Sequence, residues 1–179
     1  MLEIGTAVAV NGVLYTPLRL LGKGKGGYSY RAARNGAPEG EAPVVLKQIH
    51  HEPCDYYTFG NKIEAERADY SRLVRVGIAM PRLIDVDAAS ERIVKEFIDG
   101  PTAAELAAAG RIDGGLLEQA RRMSRLCRAA GLNIDWYPTN FIVQDGVLYY
   151  IDYECNEFKE EWSFETWGGR YWTPSAAPA

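Results

Sequence analysis

The sequence predicts an α+β chain in two lobes, a β-rich lobe over residues 1–97 and a short helical lobe over residues 98–179. Three observations carry that reading. Residues 1–50 are rich in glycine and β-branched residues and read as strands joined by turns. A single amphipathic segment, from about Gly60 to Val76, then interrupts the strand-like pattern. Beyond Asp99-Gly100-Pro101, two helical stretches lead into a final hairpin.

Each element has a local cause. Val8–Val10 and Val13–Tyr15 flank Asn11-Gly12, a pair that accepts positive φ at both turn positions and so favours a hairpin. The glycine-rich LGKGKGG leads into the strand-like YSYRA, and NGAPEGEAP is a polar connection to the apolar strand VVLKQI. In the first helix Ile63, Tyr70, Leu73 and Val74 share one face, and Glu66 lies on that face while Glu64 does not. MPRLIDVD and ERIVKEFI read as two further strands. Thr102 is an N-cap with Glu105 at capping-box distance, and Gly114–Ala130 is a second amphipathic helix stopped by Gly131. FIVQDGVLYYID closes the pattern as a hairpin around Asp145-Gly146.

Composition narrows the function classes. The 179 residues are 47% hydrophobic and 25% charged, the balance of a chain that buries a core. A net charge of −4 argues against broad nucleic-acid binding. No segment reaches the roughly eighteen apolar residues of a membrane span, and the N-terminus lacks the basic start of a secretory signal. Cys54, Cys127 and Cys155 are too scattered for a disulfide framework or a zinc site. The expectation is a cytoplasmic protein with idle thiols. The pair His50-His51 reads as solvated turn residues.

Gly22, Gly24 and Gly27 spell G-x-G-x-x-G. The same string occurs in dinucleotide-binding folds, but there a helix follows, and here a strand does. A glycine loop between antiparallel strands lets backbone N–H groups approach phosphates unobstructed by Cβ atoms. Lys47 sits within an apolar strand, where a lone ammonium is disfavoured unless an anion is near, and Glu66 is the carboxylate placed to meet it. Downstream, Asp135 and Asn140 bracket D-W-Y-P-T-N, and Asp152 ends LYYID. Phosphoryl transfer uses this inventory: a phosphate cover, a held lysine, an Asp for the acceptor hydroxyl, and oxygen ligands for Mg²⁺.

In this order the residues resemble the protein-kinase-like superfamily over roughly residues 8 to 154. LGKGKGGYSYRA is similar to the kinase glycine loop, VLK to its strand lysine at Lys47, and Glu66 to its helix glutamate. KEFIDGPTAAEL resembles the hinge, which implies adenine contacts from Glu96 and Ile98, with Ile142 beneath the base. Asp135 and Asn140 match the catalytic loop, and Asp152 matches the metal-binding Asp, here in Asp152-Tyr153-Glu154. The resemblance implies a two-lobed protein-kinase-like fold with a truncated C-terminal lobe, with ATP and Mg²⁺ as cofactors. Asp135, Lys47 and Glu66 would be catalytic, Gly22, Gly24, Gly27 and Lys47 would bind nucleotide, and Asn140 and Asp152 would hold metal.

The departures shape the expected activity. Asn133 replaces the usual anchoring residue before Asp135, Tyr137 replaces the usual cation, and no A-P-E motif or activation segment follows Asp152. This resembles the compact atypical kinases, such as the RIO and lipopolysaccharide kinases, and implies a serine/threonine protein kinase. The alternatives are a small-molecule kinase of the aminoglycoside or choline type, or a nucleotide-binding regulatory ATPase or pseudokinase. Trp162, Trp167 and Trp172 recur at five-residue spacing, which fits neither one helix face nor one strand face. The aromatic tail from Phe158 to Trp172 reads as a cap on the short lobe, or else as the docking surface for a protein acceptor or partner.

Overall fold

A computed structural model describes residues 1–52 and 60–173; Cys54 and the end of the C-terminal tail lie outside them. The chain divides into two compact units, Met1–Arg67 with Pro81–Phe97, and Ala68–Met80 with Ile98–Ala179.

The first unit holds strands β1 (Val8–Val10), β2 (Val13–Lys23), β3 (Gly27–Arg34) and β4 (Val44–Ile49). Helix α1 (Lys62–Val76) follows, then β5 (Leu83–Asp87) and β6 (Arg92–Glu96). The strands form one antiparallel sheet in the order β1-β2-β3-β4-β6-β5. Asn11 and Gly12, at φ 45° and 83°, make the tight β1–β2 turn. The Asn11 amide Nδ2 donates to Asp85 Oδ1 at 2.8 Å and to the Val86 carbonyl at 3.0 Å, and its backbone N–H donates to Asp87 Oδ2 at 3.1 Å. These bonds draw the first hairpin to the opposite edge strand, so the sheet curls until it is nearly closed. Val10, Tyr15, Ala32, Leu46 and Val94 fill one part of the unit's interior, and Ile49, Ile63 and Ile93 form a second cluster where α1 begins.

The second unit contains the C-terminal part of α1, helices α2 (Ala103–Ala108) and α3 (Gly114–Ala129), and the short strand β7 (Leu132–Asn133). The β8–β9 hairpin follows (Phe141–Gln144 and Val147–Tyr150), then β10 (Asn156–Glu157), which pairs with β7. Thr102 and Glu105 form the expected capping box on α2, and Asp113 caps α3 by accepting from the Leu116 N–H. Gly100 approaches the hairpin so closely that a Cβ there would lie 2.0 Å from the Val143 carbonyl oxygen. Trp136, Phe141, Tyr150, Phe164 and Trp172 form the aromatic centre of this unit's core. Cys127 and Cys155 are free and buried, and burial pushes both thiols up to about 12, so both are inert at neutral pH.

The expected α+β, two-lobed protein-kinase-like fold is corrected by this architecture, which is mostly β. A nearly closed six-stranded antiparallel sheet dominates it, with three short helices among the described residues. The individual strands and helices fall close to their sequence signals. Sheet closure does not follow from such signals, because the bonds that close it join Asn11 to residues 74 or more positions away. Much of the segment expected to be helical is instead short strands and 3₁₀ turns. Among the described residues no helix is long and apolar enough to cross a membrane.

Asn11→Gly keeps the left-handed backbone but removes the two side-chain bonds to Asp85 and Val86. It should cost about 1 kcal/mol in urea unfolding. An unchanged midpoint would show that the turn does not hold the sheet's edges together.

Candidate functional site

Lys47 sits on β4 with its side chain turned inward, and only 9% of the residue is exposed. Its ammonium pairs with Glu66 Oε1 from α1, with both side chains largely buried. Glu66 reaches inward because it follows Ile63, itself buried, by three residues, so the two share a helix face. Glu64 lies on another face and meets Arg67 at 3.6 Å near the surface. Glu66 Oε2 is buried and has no hydrogen-bond partner among the described residues.

The glycine loop closes over this pair. Gly24 N–H donates to the Gly27 carbonyl at 2.9 Å, making the turn between β2 and β3. Gly27 is required by β4, since a Cβ there would lie 2.5 Å from the Gln48 carbonyl oxygen. Gly22 and Gly24 meet no such obstacle. The glycine nearest the ion pair is Gly26, outside the G-x-G-x-x-G reading: its Cβ would lie 3.3 Å from Glu66 Oε1 and 3.4 Å from Lys47 Nζ. The only hint of it in the sequence is the doubled Gly26-Gly27.

Two anchors hold the loop. Lys62, at the start of α1 and buried, donates to the carbonyls of Lys25 and His50. Glu52 accepts from both Lys23 Nζ and Tyr28 Oη, and those two donors hold its carboxyl down at about 2. His50 is not a free turn residue, since its Nε2 lies 3.1 Å from the Gly24 carbonyl and its ring packs 5.1 Å from Tyr28. His51 faces the Glu91 carboxylate. Lys62 carried no sequence signal beyond standing beside Ile63.

Glu96, Ile98 and Ile142, expected to contact adenine, fall on different parts of the fold. Glu96 ends β6, where its N–H donates to the Arg82 carbonyl and its carboxylate accepts from the Arg82 N–H at 3.1 Å. Ile98 is buried in the second unit. Ile142 is half-buried on β8 and bridges to Thr102.

Within the second unit, Asp135 and Asp152 both act on the phenol of Tyr150, and Asn140 is tied to the Asp135 loop. Asp135 is exposed just after β7, and its Oδ1 accepts from the Tyr137 N–H at 3.0 Å, which fixes the loop as an Asx turn. Asn140 Nδ2 donates to the Asp135 carbonyl at 3.4 Å, while the Asn140 carbonyl accepts from Ile151 N–H at 2.9 Å, one residue before Asp152. Tyr150 is fully buried and donates its hydroxyl to the Glu154 carbonyl at 3.0 Å. Burial, then the carboxylates of Asp152, Asp135 and Glu154, push its hydroxyl well above the usual range. Tyr150 reads from sequence only as a strand residue. Asn133 is buried and points the other way: its amide donates to the Trp162 carbonyl at 3.0 Å and accepts from the Lys159 N–H, anchoring the tail.

Among the described residues no three His, Cys, Asp or Glu side chains group as metal ligands. No protein-family model matches the chain, and no curated protein matches it.

Glu66→Gln removes the Glu66 carboxylate from the buried Lys47–Glu66 pair and should cost about 3 kcal/mol, whereas Glu64→Gln should stay within about 0.5 kcal/mol. Equal losses in chemical unfolding would contradict the helix phase. For Glu52, the folded carboxyl titrates below its ordinary value of 4.5, at about 2. Its contribution to the loop anchor is therefore complete above the ordinary value and fades as pH falls through the folded one. An NMR titration of the Glu52 side-chain carboxyl should show that low midpoint, returning toward the ordinary value in Lys23→Met/Tyr28→Phe.

Proposed function

We propose that the chain is an ATP-dependent phosphotransferase that uses Mg-ATP and delivers phosphate to a serine or threonine hydroxyl of a protein. The observation that carries this reading is the buried Lys47–Glu66 pair with the Gly26 backbone lying against it. A lysine held by a carboxylate under a loop of bare backbone amides is suited to polyphosphate, because the amides approach the oxygens and the fixed ammonium offsets their charge. In this reading Lys47 takes the phosphates, Glu66 holds Lys47 in place, and the Gly22–Gly27 loop covers them.

Asp135, Asn140 and Asp152 then divide the remaining tasks. The acceptor oxygen bonds to the γ-phosphorus while the bond from that phosphorus to the β–γ bridging oxygen breaks. ADP leaves, and Asp135 takes the hydroxyl proton. Asn140 and Asp152 offer the hard oxygen donors that suit Mg²⁺, which usually binds one or two protein oxygens and completes its shell with phosphates and water, so a larger cage of carboxylates is not needed. When bound, Mg²⁺ supplies charge neutralisation on the phosphates.

Two variants separate these roles. Asp152→Asn should weaken Mg-dependent ATP binding by about tenfold in calorimetry, since it removes a charged metal ligand. Asp135→Asn should leave binding within about twofold and lower transfer by about 100-fold or more, because its contact matters in the transition state. Folded wild-type protein that binds no Mg-ATP would overturn the reading. Saturable phosphorylation of an amino alcohol or aminosugar, with no phosphoprotein formed, would move the acceptor to the small-molecule class.

A further inference from the structure

The aromatic tail divides into a buried and an exposed half. Phe164 and Trp172 enter the core, where Trp172 Nε1 donates to the Trp136 carbonyl at 2.8 Å. Trp162, the half-buried Trp167 and Tyr171 join Tyr137 in a continuous ladder that starts beside Asp135. Tyr137, whose N–H is bound by Asp135, contacts Tyr171 at 5.2 Å between ring centroids; Tyr171 contacts Trp167 at 5.2 Å, and Trp167 contacts Trp162 at 5.7 Å. Tyr137, Tyr171 and Trp162 are 45%, 37% and 50% exposed, high for rings of this size. The ladder is rigid, because the buried rings and the Asn133 bonds fix the tail that carries it.

The charge around it is as uneven as its polarity. Residues 152–172 hold six carboxylates against Lys159 and Arg170, so this stretch alone carries −4, the net charge of the whole chain, and the rest is neutral. Glu160 and Glu165 face the Arg128 guanidinium at 2.8 and 3.9 Å, while Glu161, next to Trp162, is exposed. Exposed Trp and Tyr rings on so acidic a stretch attract cations through both ring faces and charge, and repel phosphodiester backbones. The chain already makes such contacts internally: the Arg170 guanidinium lies 5.8 Å from the Tyr171 ring centre, and that of Arg128 lies 5.0 Å from Phe158.

We propose that the Tyr137–Tyr171–Trp167–Trp162 ladder is a docking surface for a basic polypeptide segment, its Arg or Lys side chains lying on the rings and facing carboxylates such as Glu161. Resting on the phosphotransferase reading, that segment carries the acceptor hydroxyl to Asp135. The surface selects by charge density and planar guanidinium groups rather than by an extended sequence register.

The test uses the full chain, a synthetic peptide of alternating Arg and Ser, and a counterpart with Glu in place of Arg. Binding is followed by tryptophan fluorescence and calorimetry. The basic peptide should bind with an affinity that falls as salt rises, and the acidic one should not bind. Trp162→Ala/Tyr171→Ala should lower affinity about tenfold or more, with the fold retained in far-UV circular dichroism because neither ring belongs to the core cluster. Glu161→Gln, which leaves every ring in place, should lower it a few-fold and flatten the salt dependence. Equal binding of the two peptides, unchanged affinity in the double variant, or preferential binding of single-stranded nucleic acid would overturn the proposal. Mg-ATP added to the same mixtures separates the two readings. Binding through the ladder with no phosphate transferred upholds the docking surface and overturns the phosphotransferase reading. Transfer to the peptide at an unchanged KM in the double variant upholds the phosphotransferase and overturns the docking surface.

Discussion

Burying the Lys47 ammonium in strand β4 costs several kcal/mol unless a carboxylate is brought to it, and α1 supplies that carboxylate as Glu66. Much of the first unit is arranged around this requirement. The helix must present Glu66 and Ile63 on one face, so Ile63 packs on Ile49 and Ile93. Lys62 at its start is then placed to bind the Lys25 and His50 carbonyls, and the glycine loop is held where Gly26 lies against the ion pair. Buried ion pairs are often no more stabilising than a hydrophobic pair of similar volume, so packing alone does not require these charges.

The second unit depends on a different constraint. Its helices are too few to enclose Trp136 and Phe141, and the tail completes the enclosure with Phe164 and Trp172. Asn133 serves that enclosure by anchoring the tail, which explains an asparagine where a residue oriented toward Asp135 was expected. Tyr150 links the Asp135 loop to the Asp152–Glu154 segment from below. The loop's shape therefore rests on its Asx turn and the Asn140 bond together with one buried hydroxyl.

Local signals were the legible part of the fold. Asn11-Gly12, Asp145-Gly146, the Thr102–Glu105 capping box and the periodicity of α3 each report a conformation decided within a few residues, and each is present. The Lys47–Glu66 pairing was legible for a similar reason, since helix spacing alone puts Glu66 rather than Glu64 beside Ile63. Closure of the sheet was not, because it rests on an exposed Asn11 whose hydrogen-bond partners are set by the fold. Gly26, Lys62 and Tyr150 escaped notice because their roles come from backbone atoms brought close in space, which no residue pattern encodes. The tail's aromatics were visible as a group, but which rings enter the core depends on 3₁₀ turns of irregular spacing.

As proposed, the buried ion pair beneath the glycine loop is a polyphosphate site. The most direct measurement is a ³¹P NMR titration of Mg-ATP with wild-type protein and with Lys47→Met, after matched thermal unfolding shows both are folded. Wild-type protein should shift and broaden the phosphate resonances in a saturable way, and the Lys47→Met variant should not. Identical titrations for the two proteins, or no change with the wild type, would contradict it.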